Sequence, residues 1–176
     1  MPYKSFFTLI VALLSFQFSF AQKDKEVIKY DLPSDTKWKV GNDQENDKMR
    51  LVEIIPDGET FDNWTIIIGT TTLKTVPKQT MDTIIDLMKQ QADQYDNAPQ
   101  LTVLEKDTTS TNSWALFTLE MGKPKSEKQI ESQVYLVVQS EKALYITNVS
   151  LKQKTLPADF VGKWSKVLKG HKIVQE

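Results

Sequence analysis

The chain has 176 residues, with 22 Lys and Arg against 23 Asp and Glu, one histidine and no cysteine. Its basic and acidic residues interleave along the whole length, whereas a nucleic-acid-binding surface needs a concentrated basic patch, so the charge pattern argues against a DNA or RNA partner. The lack of cysteine excludes disulfide staples and thiolate chemistry, so the fold has to rest on its hydrophobic core.

Residues 1–22 read as a cleavable secretory signal peptide. Lys4 is the short basic region, residues 6–14 form a nearly unbroken apolar stretch too short for a comfortable membrane span, and Ser19-Phe20-Ala21 offers small residues for cleavage after Ala21. Lys23-Asp24-Lys25-Glu26 follows at once with no aromatic belt, so no transmembrane segment is expected after leader cleavage. A lipid anchor of the bacterial lipoprotein type would need a cysteine at the cleavage point. The expectation is an exported protein, periplasmic or extracellular, of a Gram-negative envelope. Its mature form loses Lys4 and no acid, leaving 21 basic and 23 acidic residues.

Residues 23–36 are polar and charged, with Pro33 and Ser34 marking a turn, and are expected to form an N-terminal linker ahead of one domain over 37–176. A short strand is predicted at 38–40, a polar turn over 41–48, and a second strand at 50–55, paired with the first as a hairpin and stopped by Pro56-Asp57-Gly58. Residues 63–73, rich in Thr, Ile and Trp, predict a third strand. From Lys78 the apolar period lengthens: Met81, Ile84, Ile85, Met88, Ala92 and Tyr95 fall on one helical face, with Thr80 as the cap. Strands are predicted again at 101–106, 114–121, 134–139 and 143–151, the last two joined by a tight turn at Ser140-Glu141-Lys142. A final helix starts at Pro157, aligns Phe160, Val161, Trp164, Val167 and Leu168, and ends at Gly170. The expected fold class is α+β: an antiparallel-dominated sheet of about six or seven strands with both main helices packed on it, Trp164 being one of the anchors.

The most distinctive stretch is Ile54-Ile55-Pro56-Asp57-Gly58-Glu59-Thr60-Phe61-Asp62-Asn63-Trp64-Thr65. It resembles a turn of small exported bacterial proteins of the PsbP-like fold, including the DcrB type, and the predicted element order is similar over nearly the whole mature chain. That resemblance implies an α-β-α sandwich and carries no catalytic residue with it. On the residues themselves, Phe61 and Trp64 either staple the loop to the sheet or form an aromatic recognition surface, and they are the candidate binding residues.

Catalytic and metal readings find little material. The acids at Asp43, Glu45 and Asp47 alternate as in a calcium loop, but Lys48 stands where the turn glycine belongs and Ile54 where the bidentate Glu should be. His171 is the single histidine and sits near the C-terminus. Glu53 and Glu120 would make a paired-acid site only if the strands brought them together. No catalytic residue, metal or cofactor is therefore expected. The function expected is a non-catalytic exported module binding another protein or an envelope component, through a sheet edge or the Phe61/Trp64 corner. The alternative is a small-ligand or lipid carrier with a pocket between the first helix and the sheet, lined by Met81, Met88 and Phe117.

Overall fold

A computed structural model describes residues 25–74, 76–125 and 130–176; the leader expected over 1–22 lies outside them. In chain order the elements are β1 (Glu26–Lys29), β2 (Trp38–Glu45), β3 (Met49–Pro56), β4 (Ile67–Lys74), α1 (Met81–Ala92), β5 (Gln100–Asp107), β6 (Ser113–Glu120), β7 (Ser132–Gln139), β8 (Ala143–Leu151), α2 (Ala158–Lys169) and β9 (Lys172–Gln175). Seven strands make one sheet in the order β2-β3-β4-β8-β7-β6-β5, with every neighbouring pair antiparallel. β1 and β9 form a separate two-stranded antiparallel ribbon.

The expected α-β-α sandwich does not form. Among the described residues nine strands accompany only two helices, and the architecture is dominated by the seven-stranded sheet. Widths explain the difference. Seven strands spaced about 4.8 Å apart span roughly 30 Å, whereas one helix covers about 10 Å, so a single helix per face does not amount to a layer.

Strand alternation sorts the core into two clusters. On one face Leu116, Val134, Leu136, Val138, Tyr145 and Val149 join Trp164 and Leu168 of α2. On the other Ala115, Phe117, Val137 and Leu144 join Met81, Ile84 and Ile85 of α1. Thr80 caps α1, its Oγ1 accepting from the Thr83 N–H at 3.1 Å. The helix-facing series ends sooner than its period suggests, for Tyr95 lies beyond the last turn and is 48% exposed. Trp164 is buried and meets Trp38 edge-on at 5.9 Å.

Two stretches depart locally from the expected order. Within 23–36, the stretch expected as linker, Glu26–Lys29 is β1 and pairs residue for residue with Lys172–Gln175 at the other end of the chain. The 38–40 strand extends through the polar residues to Glu45, with a bulge between Val40 and Asn42. The turn shrinks to a few residues held by Asn46, whose side-chain oxygen accepts from the backbone N–H groups of Lys48 and Met49 at 2.8 and 2.9 Å. Cross-strand pairing sustains so polar a strand at the sheet edge: Arg50 grips the Asp43 carboxylate through Nε at 2.8 Å and Nη2 at 2.7 Å.

Candidate functional site

The β1–β9 ribbon does not join the main sheet. It lies beside α2 on the same face, and between it and strands β3 and β4 runs a groove of about 890 Å³. Alternate residues of the two strands supply the floor: Val52 and Ile54 from β3, Ile68, Thr70 and Thr72 from β4. Ile28 of β1, together with Tyr30 and Leu32 just beyond it, makes the wall.

Side chains, more than backbone, fasten this wall to the sheet. The Tyr30 hydroxyl donates to Thr147 Oγ1 at 2.7 Å, and Thr147 shares a hydrogen bond with Thr70 at 3.1 Å. Burial pushes the Tyr30 phenol well above its ordinary range, so it stays a neutral donor. At the start of β1, the Glu26 carboxylate accepts from the Ser140 hydroxyl at 2.5 Å and, at 3.0 Å, from the Tyr145 hydroxyl. Ile28 and Ile173 pack against the α2-side core.

One end of the groove is charged. Glu45 receives Lys25 at 2.6 Å and Lys74 at 2.8 Å, with Arg50 Nε at 3.8 Å. The hydrogen bonds from Lys25 and Lys74 hold its carboxyl down to about 2, so it is ionised at any physiological pH. An apolar floor, internal hydroxyls and a charged mouth together suit a molecule with an apolar body and a polar end.

The distinctive turn lies elsewhere, and its motif residues bond to one another. Gly58 takes the positive φ of 94° that the reversal needs. Glu59 accepts from the Thr65 backbone N–H and hydroxyl, both at 2.7 Å, and Asn63 Oδ1 accepts from the Thr60 N–H at 2.6 Å and its hydroxyl at 3.0 Å. Trp64 is buried, with the Lys152 ammonium 4.3 Å from its ring centre. Phe61 is 43% exposed and lies over Gly41 at the β2 bulge, where an added Cβ would come within 3.0 Å of its ring. The two candidate residues thus flank one corner, one inside it and one on its surface.

Met81 and Phe117, expected in a pocket against the first helix, are closed within the core, while Met88 borders a smaller cavity of about 280 Å³. The larger space is on the opposite face of the sheet. Glu53 and Glu120 are kept apart. Register runs from Glu53 through Gly69, Asn148 and Tyr135 to Phe117, three residues and one face away from Glu120 on β6. Glu53 accepts from Asn42 at 2.9 Å and Glu120 from the Leu156 N–H at 2.6 Å. His171 is partly buried, with Nδ1 3.2 Å from the Leu168 carbonyl, and burial lowers its pKa. Among the described residues no three His, Asp or Glu side chains gather in a metal-binding group, and no helix is long and apolar enough to cross a membrane.

Sequence reasoning missed Ile28, Tyr30 and Thr70 as site residues. The alternation of Val52 and Ile54 was visible, but nothing local to β1 announces that it covers them. No protein-family model matches the chain, and no curated protein compared with it matches.

Proposed function

We propose that this protein acts by binding, and that its ligand is an amphipathic small molecule, an acyl chain or similar apolar body with a polar end, held in the groove under β1. The groove itself carries the reading: about 890 Å³ over Val52, Ile54 and Ile68, within the range of ligand pockets, with hydroxyls inside and ionised side chains at its mouth. The apolar body would lie along the floor and its polar end would meet the Lys25–Glu45–Lys74 cluster. The export expected from residues 1–22 makes an envelope lipid the natural source of such a molecule. The resemblance of the turn over 54–65 supplies no role for any groove residue, and the self-contained bonding of that turn favours the groove over the Phe61/Trp64 corner as the binding surface.

The test uses 1-anilinonaphthalene-8-sulfonate as the reporter and palmitate as the competitor. Saturable dye fluorescence at one site per chain, displaced by palmitate, is the expected result. Val52→Trp should fill the floor and weaken the dye at least tenfold without altering the melting temperature by more than a few degrees. Dye binding that palmitate does not displace, or that Val52→Trp leaves intact in a folded protein, refutes the proposal.

A further inference from the structure

The smaller cavity, of about 280 Å³, lies on the other face of the sheet, where the C-terminal half of α1 meets β6 and β7. Its lining combines Met88 and Tyr95 from α1 and the residues after it, Leu119 and Met121 from β6 and its end, and Glu131 and Tyr135 from β7 and its approach. From this combination we propose a second binding site, for a small organic ammonium ion free in solution.

Glu131 is the polar group that sets the site apart. Its carboxyl is partly buried, yet no hydrogen bond or ion pair from the described residues engages it, whereas Glu26 and Glu45 on the groove side each have donors. Neighbours that would satisfy it are committed elsewhere. Lys152 acts on it through space but holds its ammonium 4.3 Å from the Trp64 ring centre. The Tyr135 hydroxyl donates to the Gln133 side-chain oxygen. Glu53, itself an acid, adds negative potential at Glu131 and is occupied by Asn42. Withdrawal from water raises the Glu131 pKa, outweighing the opposing charge of Lys152.

A half-buried carboxyl with no hydrogen-bond or ion-pair partner among the described residues is one that a cationic ligand would complete. The rest of the lining says which kind. Two tyrosines and two methionines favour a weakly hydrated, polarisable cation over a strongly hydrated one, so an alkylated ammonium fits better than a metal ion. The small volume restricts it to a headgroup-sized body.

Choline chloride and its neutral isostere 3,3-dimethyl-1-butanol, titrated into the purified full chain by calorimetry or NMR, test the site. Saturable choline binding at least tenfold tighter than the isostere is expected. Glu131→Gln should weaken it at least tenfold while leaving the melting temperature unchanged or higher, because an uncompensated charge has been removed. Tyr95→Leu, at an exposed position that folding does not need, should weaken it severalfold. Equal affinity for the two probes, or choline binding within twofold of wild type in either folded variant, overturns the proposal.

Discussion

Replacing Trp64 and Phe61 separately by alanine decides what the most distinctive turn of this chain is for. Trp64 is 6% exposed, so truncation removes almost a whole indole from contact; large-to-small changes of this kind cost about 3–5 kcal/mol, and the lower end applies where a surface loop can settle into the space. Loss of the Lys152 ammonium over the ring adds about 0.5–1 kcal/mol, bringing Trp64→Ala to about 4 kcal/mol. Phe61 keeps 43% of its surface in solvent and should lose about 1 kcal/mol, roughly half the burial energy of a phenylalanine. Urea unfolding monitored by circular dichroism measures both, with an unchanged slope showing that the unfolded reference is the same. If Trp64→Ala costs less than 1 kcal/mol, or if Phe61→Ala costs more than Trp64→Ala, the turn is not a self-supporting corner and its aromatic pair regains its claim as a recognition surface.

Trp164→Ala should likewise cost about 3–5 kcal/mol, since the ring is buried and meets Trp38 at 5.9 Å; a wild-type denaturation midpoint would show that α2 is not docked. Glu45 links the groove mouth to pH. Its folded pKa of about 2 lies below the ordinary 4.5, so its contribution is complete above about 4.5 and is lost as pH falls through 2. With the side chain 35% exposed, screening reduces that contribution to about 1 kcal/mol, and comparing wild type with Glu45→Gln at pH 6 and pH 2 measures it; a stability difference that is the same at both pH values contradicts the assignment. Glu26→Ala removes the single oxygen, Oε1, that accepts from both the Ser140 and the Tyr145 hydroxyls and should cost about 2 kcal/mol, with faster amide exchange across β1 and β9; exchange unchanged there would mean that the ribbon is held by its apolar side chains alone.

The elements of the main sheet were legible because each carries its own period. β6, β7 and β8 alternate apolar residues on both faces, and α1 and α2 switch to helical spacing with a recognisable cap or first-turn residue. The extension of β2 was hidden because Asn42, Asp43, Gln44 and Glu45 look like a turn; on an edge strand such residues are stabilised by partners across the hairpin, and Arg50 is not visible as that partner until the register is known. Layer count went wrong for a related reason. A succession of elements gives each helix the same weight as a strand, whereas covering a face depends on how many strands lie beneath one helix, and in this sheet the uncovered width left room for a ribbon and a groove.

The candidate site was less legible than the fold because it is assembled from the two ends of the described residues. Glu26–Lys29 and Lys172–Gln175 are four-residue strands with no turn between them and no pattern that distinguishes them from solvated tails. Each gains its meaning only from the other: paired, they satisfy their backbone groups and bury Ile28 and Ile173 on the core, and the side chains of Glu26 and Tyr30 then reach hydroxyls on β8 and its hairpin. The same logic applies to Glu131. An acid among strands is ordinary in sequence, and it becomes a candidate ligand only when folding has committed Lys152 to Trp64 and Tyr135 to Gln133, leaving this carboxyl without a partner among the described residues.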